Sequence, residues 1–351
     1  MPTMDTDTGT HVSLTTRLDD VEEQELSWLW YPYLAHGQLA LLDGDPGTGK
    51  STLAWQIAAC LSRGLCLPDQ QGNIYASPVA PTRTLLISAE DAVTFTIVPR
   101  LRKMDADLSQ IHVLHGWAGH EGQVHSFSLK HIDTLVDALE RHHPAFVVID
   151  PIQAALGHIN MNQANMTRPL LEGLGHVAET YGCAVLMIRH LNKSGSGKAI
   201  YRGLGSIDIM GAARTAMWAE EHPNNDNWVL MGQTKSNFTP LGRTQVFGKS
   251  GGVFDWFGSS RVKGSLFSDA EPGPDPQAVL KAALWLEYYM SHDEYGEPLY
   301  GVKWDSKGLI DAGAEAGHTR STLYKTRKAL GLICVRLHDS SHGATWQLPS
   351  L

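Results

Sequence analysis

Through the first two thirds of the chain, short uninterrupted apolar runs alternate with stretches whose apolar residues recur at helical spacing. Gln38-Leu39-Ala40-Leu41-Leu42 leads into a segment with Leu53, Ile57 and Leu61 on one helical face and Gly64 placed to end it. Thr84-Leu85-Leu86-Ile87-Ser88 leads into a helix through Leu101, Ile111-His112-Val113-Leu114 into a helix over 132–139, and Phe146-Val147-Val148-Ile149 into one over 166–181. Ala184-Val185-Leu186-Met187-Ile188 closes the series. Strands apolar on both faces and separated by helices predict an α/β fold, a central mostly parallel sheet flanked by helices. Shorter, turn-bounded runs at 214–219, 228–233, 244–247 and 253–256 predict antiparallel strands added at one edge.

The pattern changes at both ends. Residues 1–26 are polar and aperiodic and read as a mobile arm, so the α/β body starts near Trp28-Leu29-Trp30 and covers 27–257. Residues 258–276 are rich in glycine, serine and proline and read as a linker. Beyond them, helices over 278–289, 307–316 and 319–330 and short strands at 332–337 and 345–348 set a small domain at 277–351 on the plan of a winged helix.

Composition narrows the classes. With 42% hydrophobic and 19% charged residues over 351 positions, the chain is globular and able to bury a sizeable core. No apolar run reaches membrane-spanning length and the N-terminal stretch lacks a basic-then-apolar pattern, so a cytoplasmic protein with no membrane contact is expected. Four cysteines without C-x-x-C spacing argue against a zinc site or a disulfide framework. His120-Glu121 with His125 nearly imitates H-E-x-x-H, but the spacing is one residue too long and no metal is expected there. A formal charge of −9 disfavours broad coating of duplex DNA while leaving room for a local basic channel.

The chemistry starts at Gly44-Asp45-Pro46-Gly47-Thr48-Gly49-Lys50-Ser51, a complete G-x-x-x-x-G-K-[ST] phosphate-binding loop set between a strand and a helix. Its glycines let consecutive N–H groups and the helix N-terminus face a polyphosphate. Lys50 adds charge near the outer phosphates, Ser51 offers a hydroxyl to Mg²⁺, and Thr52 follows in the first helical turn. ATP and Mg²⁺ are the expected cofactors. Such a loop needs a second carboxylate-bearing strand for the metal, and Asp150 at the end of Phe146-Val147-Val148-Ile149 supplies it. A turn residue before Pro151 is the plainer reading of the same position.

The strand between these elements ends Ile87-Ser88-Ala89-Glu90-Asp91, and a carboxylate there opens onto the same crevice. The arrangement resembles the RecA-type ATPases, in which a Glu closing this strand activates water. The resemblance gives that role to Glu90, with Asp91 as an alternative base or as a cap of the next helix. Asp150 is followed by Pro151 rather than Glu, which separates the chain from P-loop proteins that carry the base beside the metal Asp. The segments SAEDAVTFTIVPRL, VVIDPI, LMIRHLNK, YRGLGSIDIMGAARTAM and TKSNFTPLG, in that order, narrow the likeness to the RepA-type hexameric helicase ATPases of plasmids, phages and integrated elements, over residues 28–257.

In that family a His closing the strand after the metal Asp senses the γ-phosphate, which maps to His190. Arg214 in GAARTAM matches the arginine finger supplied across a subunit boundary, and Lys235 in TKSNF matches a second cation on the same phosphates. DnaB-type relatives carry an Arg two positions after that Lys; here Asn237 stands there, which puts more weight on Arg214. A satisfied interior histidine and a surface ion-pair arginine are the plainer readings of His190 and Arg214. The resemblance implies a homo-oligomeric ring, a hexamer, working as a helicase or translocase on single-stranded DNA in the replication of a mobile element, with replication or element-encoded proteins as candidate partners.

Two segments suggest nucleic-acid contact. Lys193, Lys198, Tyr201 and Arg202 lie in a Gly/Ser loop suited to tracking a strand's phosphates with one aromatic to stack on a base. On the third C-terminal helix, Arg320, Tyr324, Arg327 and Lys328 share one side and Leu323 and Leu330 another, as in a recognition helix. A solvated face on a packing domain fits the same pattern, because Asp293, Glu294, Glu297, Asp305 and Asp311 balance the bases. Two other functions stay open: an ATP-gated DNA-binding or assembly factor without translocation, and a P-loop small-molecule kinase, which would leave Glu90, His190 and Arg214 without roles.

Overall fold

The computed structural model describes residues 16–74, 80–119, 123–157, 164–190, 206–249, 254–268, 274–293, 295–299, 301–336 and 344–349. An antiparallel pair, β1 (Trp28–Trp30) and β2 (Leu34–Ala35), precedes β3 (Leu39–Gly44) and α1 (Lys50–Ser62). Then come β4 (Thr84–Ser88), a π-helical turn running into α2 (Val98–Lys103), β5 (Ile111–Val113) and the antiparallel pair β6 (Gly116–Ala118) and β7 (Val124–Ser126). α3 (Ile132–His142), β8 (Phe146–Asp150), α4 (Ile152–Leu156), α5 (Ala164–Tyr181), β9 (Ala184–Ile188) and α6 (Ser206–Ala212) complete the alternation. β10 (Thr215–His222), β11 (Asn225–Ser236), β12 (Thr244–Gly248) and β13 (Asp255–Ser260) follow. The chain ends in α7 (Ser265–Ser268), α8 (Pro276–Ser291), β14 (Trp304–Asp305), α9 (Ser306–Glu315), α10 (Arg320–Leu330), β15 (Ile333–Arg336) and β16 (Ala344–Gln347).

Among the described residues nine strands form one sheet in the order β13-β12-β11-β10-β3-β9-β8-β4-β5, parallel from β10 to β5. The period-two alternation of a strand sorts its apolar residues between two cores. Leu39, Leu41, Val147, Ile149, Val185 and Met187 pack with Leu139 of α3, Leu156 of α4, Leu174 of α5 and Ile209 of α6. Their neighbours Ala40, Leu42, Phe146, Val148, Leu186 and Ile188 pack on the other face with Leu53, Ile57 and Leu61 of α1 and Leu101 of α2. This double burial is why the strands read as continuous apolar runs.

Three expectations are corrected. The run at 214–219 is not an added antiparallel strand: β10 lies parallel beside β3, with Ala216 opposite Leu41 and Ala219 opposite Gly44, and the antiparallel edge begins at β11. The stretch read as a linker holds the end of β13 and α7 in its described parts. Gly264 there serves close packing, since a Cβ on it would lie 2.3 Å from the Gln233 carbonyl oxygen. Among the described residues the C-terminal strands number three rather than two, because β14 pairs with β16.

Trp218, Leu230 and Val246 of the sheet share a third core with Leu280, Ala283 and Leu286 of α8 and with Trp346. The Glu287 carboxylate accepts from the Ser260 hydroxyl and the Arg261 N–H, fixing α8 to the end of β13. Within the expected arm, residues 1–15 lie outside the described residues and an exposed 3₁₀ turn covers Leu18–Asp20. Among the described residues no helix is long and apolar enough to cross a membrane.

Candidate functional site

Because β3, β9, β8 and β4 are parallel neighbours, the residues that follow them emerge along one edge of the sheet in the order Lys50, His190, Asp150, Glu90. At β3 the loop turns through Gly44, Gly47 and Gly49, with φ of 148°, 85° and 87°. Gly44 has a steric requirement as well, since a Cβ there would sit 2.5 Å from the Ala219 carbonyl oxygen. Nothing lies within 4 Å of a Cβ built on Gly47, so the loop's apex opens onto free space. Gly49 is the left-handed N-cap of α1, and no side chain caps that helix, which leaves its first N–H groups to an anionic ligand.

Lys50 is 3% exposed, and its ammonium donates to the carbonyls of Gly44 and Asp45, each at 2.8 Å. Burial pushes this ammonium down to about 8, although the carboxylates of Asp150, Asp43, Asp45 and Glu90 pull the other way. Thr48 is buried with its hydroxyl on the Asp45 carbonyl, while Asp45, Pro46 and Gly47 are exposed. A cavity of about 480 Å³ opens over Gly47, Gly49, Lys50, Ser51 and Thr52, walled by Asp91, Arg100, His190 and Lys249.

Across it, Asp150 is buried at the end of β8, and His190 Nε2 lies 3.5 Å from Asp150 Oδ1 and 3.7 Å from Glu90 Oε2. That nitrogen is buried and has no hydrogen-bond partner among the described groups. Gln153 of α4 donates to the His190 carbonyl at 2.7 Å, holding the backbone of this position. Glu90 is exposed; Asp91 is half-buried with its carboxyl raised by burial and then by the Asp150 charge. Both candidate bases therefore border the crevice.

Three features of the site carry no signal in the local sequence. Arg189, fully buried at the end of β9, forks onto Asp43 of β3, with Nε to Oδ1 at 2.7 Å and a second guanidinium N–H on Oδ2 at 2.5 Å. Burial pushes the Asp43 carboxyl up and the Arg189 charge opposes the shift. The pair ties the strand that ends in the loop to the strand that ends in His190. Lys249, at the end of β12, donates to the Gly47 carbonyl at 2.7 Å. Arg100 lies over the Trp55 ring at 5.0 Å and walls the cavity.

Arg214 is elsewhere. Its N–H donates to the Leu39 carbonyl, at the start of β3, and its exposed side chain lines a second cavity of about 520 Å³ with Gln38, Arg168, His176 and Asp208. Gly44 is five residues further along β3, which at about 3.3 Å per residue is roughly 17 Å. Lys235 belongs to this far end too: it opposes Ala216, and its ammonium donates to the Met210 and Ala213 carbonyls at 2.8 and 2.6 Å, closing the end of α6. Burial, then the Arg214 charge, lowers the affinity of this amine for its proton.

Lys193, Lys198, Tyr201 and Arg202 lie outside the described residues. On α10, Leu323 and Leu330 are buried; Arg320, Tyr324 and Lys328 are exposed and Arg327 is half-buried, with the Arg320 guanidinium 5.7 Å from the Tyr324 ring centre. Among the described residues no cluster of three or more His, Cys, Asp or Glu side chains suits a metal ion.

A family model described as "AAA domain" matches residues 6–196. DNA repair protein RadA of Bacillus subtilis (strain 168) is 28% identical over 164 residues, a stretch that spans 46% of this chain and 29% of that protein.

Proposed function

The chain belongs to the AAA domain family, and on that premise we propose that it is an Mg²⁺-dependent ATPase whose subunits join head to tail in a ring and drive movement along single-stranded DNA. The observation that carries the ring is the separation of Arg214 from Lys50 along β3. A side chain at the start of a strand cannot reach across roughly 17 Å to a ligand at its end. As an arginine finger, Arg214 therefore serves the phosphates held by another copy, and head-to-tail contacts of this kind close into rings when the rotation between copies permits. The DNA substrate is supported by the likeness to RadA, a DNA repair protein by name. The RepA-type likeness adds a hexamer, helicase activity and a mobile-element setting, with the C-terminal helices read as a winged helix.

The residues fit the implied group: the loop is open at Gly47, α1 has no capping side chain, and the buried Nε2 of His190 lacks a partner among the described groups. Ser51 and Asp150 would hold the Mg²⁺, which when bound neutralises charge on the outer phosphates. Lys50 exchanges its two carbonyl partners for phosphate oxygens. Glu90 accepts a proton from the attacking water, His190 Nε2 reports the outermost phosphate, and Arg214 of the adjoining subunit stabilises the charge that builds on it.

Steady-state ATPase activity measured with and without single-stranded DNA, over a range of protein concentrations, tests the reading. Stimulation by DNA of any sequence and a steeper than linear dependence on protein are expected. Activity that is flat in both would instead favour an ATP-gated binding or assembly factor.

A further inference from the structure

Lys249 reaches the phosphate loop from the antiparallel side of the sheet. It sits at the end of β12, where its N–H donates to the Asn227 carbonyl at 2.9 Å and fixes the start of the side chain. The side chain is 17% exposed, and its ammonium is shared between the Gly47 carbonyl at 2.7 Å and Glu221 Oε1 of β10 at 2.9 Å. Its methylenes lie over the loop, with Cδ 3.3 Å from a Cβ built on Gly49; Phe247 and Val229 back the same glycine at 3.7 and 3.8 Å. The antiparallel edge of the sheet is therefore the wall against which the phosphate loop is seated.

The contact falls where the loop is least constrained. Gly47 is exposed at positive φ with open space around it, and its carbonyl belongs to the same planar group as the Thr48 N–H. Holding the carbonyl fixes the direction of that N–H, which in this structure donates to the Asp45 carbonyl at 3.3 Å. A loop that binds phosphate through backbone N–H groups depends on such peptides not rotating. Glu221 completes the anchor. It follows Ala219 and Glu220 on β10, and Ala219 pairs with Gly44, so the carboxylate that holds Lys249 rides on the strand that flanks the loop's first glycine.

We propose that Lys249, anchored by Glu221, is a positioning residue that acts within its own subunit, setting the apex of the phosphate loop through the Gly47 carbonyl so that it accepts a nucleoside triphosphate. The inference rests on the ATPase reading and assigns Lys249 no contact with the reacting atoms.

The test is MgATP binding by calorimetry together with steady-state kinetics, on the full chain, for Lys249→Met, Lys249→Arg, Glu221→Gln and the Lys249→Met/Glu221→Gln pair. Loss of the charge-assisted hydrogen bond to the Gly47 carbonyl predicts an affinity about tenfold weaker for Lys249→Met. KM should rise in step while kcat falls less. Lys249→Arg should recover most of the loss, and the double variant should be no worse than Lys249→Met alone, because the two side chains act as a pair. Binding within about twofold of the unsubstituted chain in Lys249→Met, or additive losses in the double variant, would overturn the inference. Lys50→Ala is the control for the underlying reading: if the unsubstituted chain binds no MgATP, or Lys50→Ala binds it equally, the ATPase reading falls and takes this inference with it.

Discussion

The two ends of β3 differ in what they offer a phosphate chain. At one end the strand delivers Lys50 into a bed of carboxylates, under a glycine loop whose helix has no capping side chain. At the other it runs beside Arg214, an exposed cation on a polar cavity, and Lys235, whose charge is absorbed by the carbonyls that close α6. The first end can cradle a ligand and work on it. The second brings charge without a cradle. Under the proposed function each subunit holds two unlike halves of two sites, and activity belongs to the junction.

The sharpest way to break this comparison is Arg214→Ala. Turnover should fall by about 10³- to 10⁵-fold with nucleotide binding retained. Mixed with Lys50→Ala it should regain part of the activity, because some junctions then pair an intact loop with an intact finger. No recovery in the mixture, measured as steady-state ATPase, would mean that both residues serve one subunit. Within the loop end, Glu90→Gln should lower kcat by about 10²- to 10⁴-fold. Single-turnover hydrolysis should find Asp91→Asn less affected, and the reverse order would move the base to Asp91.

A third variant probes the link between the loop strand and its neighbour. Arg189→Met strands the buried Asp43 charge and should cost about 3–5 kcal/mol in denaturant unfolding; a loss below about 1 kcal/mol would mean that Asp43 simply takes up a proton. The smallest effect concerns the far end. Lys235→Met removes two bonds to α6 carbonyls and should lower stability by about 1–3 kcal/mol. If turnover then falls no further than this local loosening explains, in thermal melts compared with kinetics, Lys235 is a cap of α6 rather than a second finger.

Much of this layout is legible in the sequence. Leu39 to Leu42 and Phe146 to Ile149 announce themselves because both faces are buried, and a glycine loop between strand and helix has a local signature. What stays hidden depends on register. Arg189 closes an apolar run and Asp43 precedes a glycine, positions that read as strand ends facing water; only the parallel pairing of β3 with β9 brings them together across 146 residues. Lys249 lies 202 residues from Gly47 and reaches it through three strand pairings. The direction of β10 escapes for a related reason: a short strand preceded by a loop and helix gives no local sign of whether the chain has crossed over.

The buried Asp43–Arg189 fork also bears on how the protein behaves on heating. Removing two charges from water is most unfavourable in the cold, and the penalty shrinks as temperature rises while apolar burial levels off. Warming therefore strengthens the tie between the loop strand and the histidine strand relative to the apolar layers around it. The spacing of Lys50 and His190 should therefore be among the last features of the chain to soften on heating.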